Sequence, residues 1–145
     1  MQPYLTNESL IAPEAIGAIG YILKDVKVLD FFGLTEPFIA NNGTIPRARF
    51  NMGKHHYEYT MKKQPDFFFF HADLRNHIPN LNKWGYSKKY ATFKLKKDSG
   101  ELTIGIYNSL VDSLLLPLKE GFDIEQIETE NIERNPAATW PLGER

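Results

Sequence analysis

At 145 residues and 16.7 kDa, with 42 % apolar and 13 % aromatic residues, the chain is expected to form one packed domain rather than a disordered polymer. It has no cysteine, which excludes disulfides, thiolate metal sites and a cysteine nucleophile. It also has no apolar run near the ~18 residues that span a bilayer, and no basic-then-apolar signal peptide at its start. The net charge of −1 conceals three blocks: −3 over residues 1–43, +9 over 44–97 and −7 over 98–145. Two readings of these blocks stand side by side. The basic middle and the acidic end neutralise each other across the fold, or the middle forms a basic face for phosphates of lipid head groups or of a phosphorylated carrier. Nucleic acid is not expected as a partner, because no zinc-finger, RNP-like or GxxG pattern accompanies the scattered cations.

In chain order, residues 9–12 read as a short strand ended by Pro13. Residues 16–23 and 26–32 read as a hairpin turned at Lys24-Asp25. Thr35 is expected to cap a short helix over 36–41, with Pro37 in its first turn and Asn42-Gly43 stopping it. Residues 44–53 read as a loop carrying Arg47 and Arg49, and 55–63, with Tyr57, Tyr59 and Met61 between polar residues, fits a strand as well as a helix, the helix being preferred. Four successive phenylalanines, 67–70, fit a strand with both faces buried. A helical turn follows within 73–81, broken by Pro79. Residues 90–96 alternate, with Tyr90, Thr92, Lys94 and Lys96 on one face and Ala91, Phe93 and Leu95 on the other. They pair with 102–107 as a second hairpin across Asp98-Ser99-Gly100. A helix over 109–119 is expected to end near Pro117. The domain is thus drawn over 1–122, with an acidic, mobile tail over 123–145. Hairpins mixed with short helices, without regular strand–helix alternation, predict an α+β fold with a mixed or mostly antiparallel sheet.

Several residues invite chemistry. His71, Asp73 and His77 lie within seven residues and would suit zinc, iron or manganese, although the spacing is not HExxH. That constellation supports an alternative reading as a small metal-dependent hydrolase. Gly17 and Gly20 lack the third glycine and the helix start of a dinucleotide loop, and are better read as close-approach positions in a strand. None of Ser9, Ser87, Ser99, Ser109 or Ser113 sits in a GxSxG context, so a serine hydrolase is not supported. Tyr21, Phe31, Trp84, Tyr86, Tyr90 and Trp140 are candidates for a sugar site, against the more usual role of aromatic rings in the core. Arg47, Arg49, Lys54, His55 and His56 are the candidates for holding a phosphate or a polar sugar. A third possibility is a protein-interaction module that docks through a sheet edge or an aromatic patch.

One string of motifs stands out. It runs Gly17-Ala18-Ile19-Gly20-Tyr21, Val28-Leu29-Asp30, Gly33-Leu34-Thr35-Glu36-Pro37-Phe38-Ile39-Ala40, Gly53-Lys54-His55-His56-Tyr57 and Lys63-Gln64-Pro65-Asp66-Phe67. In order and spacing it resembles the soluble C-terminal extracytoplasmic domain of bacterial polytopic glycosyltransferases, the polyprenyl-phosphate-sugar-dependent enzymes such as mannosyl- and arabinofuranosyltransferases. The resemblance covers about residues 16–70, and its most specific part is the G-L-T-x-P-x-I-A segment at 33–40. Glu36 stands where that family has Asp, and Lys54 and His55 depart from its Gly-His-Glu-Lys segment. The family's membrane helices and catalytic acids have no counterpart in this chain. The resemblance therefore implies a non-catalytic accessory domain of the cell envelope with no cofactor, not a self-sufficient transferase. It would lie on the extracytoplasmic face beside a membrane-embedded transferase portion and contact a glycan acceptor or a lipid-linked sugar. In that setting Asp30, Gly33, Thr35 and Pro37 are expected to shape the turn and the helix start rather than touch the ligand.

Overall fold

The computed structural model describes residues 5–14, 16, 22–23, 25–44, 54–71 and 74–133. Six strands are present among them: β1 (Leu10–Pro13), β2 (Lys27–Val28), β3 (Phe67–Phe70), β4 (Tyr90–Lys97), β5 (Gly100–Tyr107) and β6 (Asp123–Ile127). They form one mixed sheet in the order β2-β1-β3-β5-β4-β6. β1 runs parallel to both β2 and β3, and the remaining pairs are antiparallel. Among the described residues five helices accompany the sheet: α1 (Pro37–Asn42), α2 (Tyr57–Lys63), α3 (Ile78–Asn82), α4 (Tyr86–Lys89) and α5 (Asn108–Gly121), with a 3-10 turn at Leu74–Asn76. The fold is α+β with a mixed sheet, as the sequence predicts.

The phenylalanine run explains why the sheet is covered on both sides. Phe67 and Phe69 point to one face, where Ile11, Phe93, Leu95, Ile104 and Ile106 meet Leu114 and Leu118 of α5. Phe68 and Phe70 point to the other, where Ala12 and Phe31 meet Met61 of α2, Ile78 and Leu81 of α3, and Tyr86 of α4. Each buried phenylalanine contributes about 1.5–3 kcal/mol, so β3 alone anchors both layers. Across the sheet, Gly105 lets the Tyr86 ring lie against the backbone of β5. A Cβ at Gly105 would collide with the Tyr86 hydroxyl, which in turn hydrogen-bonds the Thr92 hydroxyl at 2.9 Å.

Four expectations are corrected. The segment expected as a strand over 26–32 is reduced to β2, which pairs in parallel with the distant β1. Most of its expected hairpin partner, residues 16–23, lies outside the described residues. Pro79 does not break a helix but sits in the first turn of α3, where a missing N–H costs nothing. Pro117 lies inside α5, which continues to Gly121. An interior proline costs about 3 kcal/mol, but Leu114 and Leu118 are buried against the sheet on either side of it and outweigh that cost. β4 keeps the two faces its alternation predicts, Tyr90 in the core on the α2–α4 side and Ala91, Phe93 and Leu95 in the core on the α5 side, and both are buried because helices cover both sides of the sheet. Finally, the acidic segment from Asp123 begins as a strand. β6 pairs with β4 so that Glu125 meets Lys96 at 2.8 Å, while Ile124 packs against the α5-side core.

Candidate functional site

Glu14 directly follows β1, Asp30 lies two residues beyond β2, and His71 directly follows β3. The three parallel strands therefore bring their carboxyl ends together around polar residues, the position where open sheets with parallel strands form ligand crevices.

Asp30 organises the first of these ends. Its side chain is buried and accepts hydrogen bonds from the Phe32 N–H at 3.0 Å, the Thr35 N–H at 2.6 Å and the Thr35 hydroxyl at 3.1 Å. Gly33 completes the turn with a φ of 65°, and its lack of a Cβ leaves room for Ile39 of α1. Thr35 is thus not the helix cap expected from sequence. Glu36 occupies the cap position without a side-chain cap bond, because Thr35 is already held by Asp30. Pro37 opens α1 as expected. The four residues singled out as a structural motif act as one unit that fixes where α1 begins.

His55 comes next. It is buried, and its Nδ1–H donates to the Phe31 carbonyl at 2.9 Å. The rings of Phe31 and Phe32 each lie 4.9 Å from its own, centroid to centroid. Burial pushes its pKa down from 6.5 to about 4, and the neighbouring His77 pushes in the same direction. The Phe31 carbonyl, Glu14 and Asp30 pull the other way without restoring it. His55 is therefore neutral near pH 7.

His77 lies between two partners. Its Nε2 is 3.0 Å from Glu14 Oε1, and its Nδ1 is 3.3 Å from the Tyr57 hydroxyl. The second Glu14 oxygen accepts the His71 backbone N–H at 2.6 Å. The His55 and His77 rings meet edge to face at 5.0 Å. Carboxylate, imidazole and phenol thus form a linked row with aromatic rings packed around it.

The candidate ligand residues divide. Arg47 and Arg49 lie outside the described residues, in a segment whose ends are joined by the Thr44–His55 bridge. Lys54 donates from Nζ to the Ala40 carbonyl at 2.8 Å, near the C-terminal end of α1. His56 caps α2, its Nδ1 accepting from the Tyr59 N–H at 3.1 Å. His55 faces inward. Among the metal candidates, His71 is exposed, Asp73 lies outside the described residues, and both ring nitrogens of His77 already face Glu14 and Tyr57. No group of three His, Asp or Glu side chains among the described residues could hold a metal ion. Of the aromatic candidates, Phe31, Tyr86 and Tyr90 are core residues and Trp84 is exposed, while Tyr21 and Trp140 lie outside the described residues.

Sequence reasoning missed Glu14, Tyr57 and Phe38. A lone Glu after a strand carries no local signal, since its partner His77 is 63 residues away. Phe38 is 41 % exposed and stacks on Tyr59 at 4.2 Å with the rings 18° apart. His56 lies 5.3 Å from Phe38 on the same surface, and the Tyr59 hydroxyl donates to Glu36 at 3.0 Å. Lys63 completes the group, its Nζ 5.1 Å from the centre of the Tyr59 ring. The face formed by α1 and α2 thus carries an aromatic platform edged by polar groups.

A family model described as a domain of unknown function, DUF8728, matches residues 1–109. That span contains the Glu14–His77 row, the Asp30 turn and the Phe38–Tyr59 platform, and it stops at the start of α5. No curated protein and no solved structure matches the chain. With three-quarters of its length within that match, the chain belongs to the DUF8728 family.

Proposed function

We propose that this chain is a non-catalytic binding domain, related to the accessory domains of membrane glycosyltransferases, that contacts a sugar-bearing ligand on the face formed by α1 and α2. The observation that carries this reading is the Phe38–Tyr59 stack, an exposed aromatic surface beside Glu36, His56 and Lys63. A pyranose or furanose ring presents C–H groups on one face and hydroxyls on its edge. An aromatic ring bordered by hydrogen-bonding groups suits both. The motif 33–40 is what links the chain to the transferase domains, and its residues set the position of Phe38 by fixing the start of α1. A binding role also accords with the inward-facing titratable groups: Asp30, the Nδ1 of His55 and both ring nitrogens of His77 are engaged within the fold itself.

The test is an NMR titration of the whole chain with mannose- and arabinose-containing oligosaccharides. Shifts should concentrate at Phe38, His56 and Tyr59, and Phe38→Ala should weaken binding at least about fivefold while leaving the melting temperature unchanged, since the ring is exposed. Shifts confined to other surfaces, or binding indifferent to Phe38→Ala, would remove this reading.

A further inference from the structure

Most described lysines are engaged, and of the four without a carboxylate, carbonyl or ring partner three flank one exposed indole in the chain, while the fourth, Lys119, lies in the last turn of α5. Lys27 pairs with Glu8 at 2.6 Å, Lys62 with Glu58 at 2.7 Å, Lys94 with Glu101 at 3.6 Å and Lys96 with Glu125 at 2.8 Å. Lys54 caps α1, while Lys63 and Lys97 lie over the rings of Tyr59 and Phe122. Lys83, Lys88 and Lys89 differ: none has a carboxylate partner among the described residues, and Lys83 reaches only Asn80 Oδ1 at 3.5 Å. All three lie within seven residues, and Trp84 among them is 45 % exposed.

The turn that presents Trp84 is firmly held. The Trp84 N–H donates to the Leu81 carbonyl at 2.9 Å and the Gly85 N–H to the Asn82 carbonyl at 3.0 Å. Asn82 Oδ1 accepts from the Ser87 N–H at 3.0 Å, closing the junction of α3 and α4 from the other side. Leu81 and Tyr86, on either side of the turn, are wholly buried. The indole is therefore displayed by a rigid junction whose anchors lie in the core.

We propose that this junction is a membrane-contact site. Trp84 inserts its indole at the head-group level of an anionic bilayer, and Lys83, Lys88 and Lys89 meet the lipid phosphates. An indole has a broad apolar ring and one N–H donor, a combination suited to the boundary between acyl chains and head groups. Ammonium groups with no internal partner are free to exchange counterions for lipid phosphate.

The neighbouring charges favour a bilayer over a nucleic acid. Asn82 Nδ2 donates to the Thr129 carbonyl at 2.8 Å, so the residues flanking Thr129 in the chain at this junction are the exposed acids Glu128 and Glu130, and no ion pair joins them to the lysines among the described residues. A polyanion strand lying across the patch would run into those carboxylates. A bilayer touched only by the turn would not. Among the described residues the aromatic rings nearest Trp84 in the chain, Tyr86 and Tyr90, are buried and offer no second surface for stacking bases. The proposal does not rest on the sugar-binding reading, since it uses a different surface and different residues.

The test uses the full chain carrying Trp140→Phe, so that Trp84 is the reporting indole. Vesicles of phosphatidylglycerol mixed with phosphatidylcholine are compared with phosphatidylcholine alone. The proposal expects a blue-shifted Trp84 emission and quenching by brominated acyl chains on the anionic vesicles only, with affinity falling at least tenfold between 50 and 500 mM salt. In sedimentation, Trp84→Ala should weaken vesicle binding about tenfold, and each of Lys83→Gln, Lys88→Gln and Lys89→Gln about fivefold, at unchanged melting temperature. The three lysine variants keep the test decisive if Trp84→Ala perturbs the turn. No binding to anionic vesicles at 50 mM salt, or binding unaffected by these substitutions, overturns the proposal. So does a single-stranded oligonucleotide that binds more tightly and loses affinity with the same lysines, which would assign the patch to nucleic acid.

Discussion

His77 Nε2 lies 3.0 Å from Glu14 Oε1, and the two side chains are only 5 % and 1 % exposed. They come from points 63 residues apart, one at the end of β1 and one at the start of α3. This contact ties the helical layer to the parallel edge of the sheet. The same carboxylate also holds the His71 N–H, so one side chain joins β1, the exit of β3 and α3.

Glu14→Ala should be strongly destabilising. It leaves the His77 ring nitrogen and the His71 N–H without their buried acceptor, a loss of about 3–5 kcal/mol. Glu14→Gln keeps the shape and one acceptor oxygen, and should cost roughly half as much. Urea midpoints at constant m value measure the difference.

Acid should weaken the fold through His55. Its pKa is 6.5 when unconstrained and about 4 in the folded chain, so between these values the unfolded state binds the extra proton. This contribution is fully present above about pH 7, declines as pH falls from 6.5 towards 4, and levels off below. A shift of that size corresponds to about 3 kcal/mol. In histidine NMR titrations, the His55 resonance should titrate near pH 4, and His55→Asn should flatten the stability profile in this window.

Asp30→Ala removes the acceptor for two backbone N–H groups and one hydroxyl. A loss of about 2–4 kcal/mol is expected, since bonds to an ionised acceptor are the stronger kind but do not add fully. Amide exchange should show lost protection at the Ala40 N–H, which bonds the Glu36 carbonyl in the first turn of α1. Protection unchanged at that amide would mean α1 holds its own start.

Gly105→Ala places a methyl group against the Tyr86 hydroxyl and should cost about 1–3 kcal/mol from overpacking. Tyr86→Phe deletes the colliding oxygen along with its bond to Thr92. The double variant should therefore be more stable than the sum of the two single losses predicts. Strict additivity in thermal unfolding would show that the clash is relieved by some other movement.

Local patterns were legible where the cause was local. Four phenylalanines with no polar residue between them have no face to give to water, and they became the strand buried on both sides. The turn at Asp98-Ser99-Gly100 joined neighbouring segments into the β4–β5 hairpin with every residue from Tyr90 to Lys97 in register. The structural role of Asp30, Gly33 and Pro37 was also readable, because their partners lie within a few residues. Thr35 carries no unique local signal, because a threonine before a helix serves equally well as a cap or as a donor to a nearby carboxylate, and here it donates to Asp30.

The class of fold, the central strand, the second hairpin and the charge blocks follow from periodicity, composition or neighbours along the chain. Tertiary structure alone decided that β2 lies beside β1, that a helix runs through Pro117, that Asp123–Ile127 closes the sheet, and that Glu14 meets His77. Each of these depends on a partner dozens of residues away or on burial that overrides a local preference. No pattern within a short window encodes such a partner, because the free energy that selects it arises only when the layers pack.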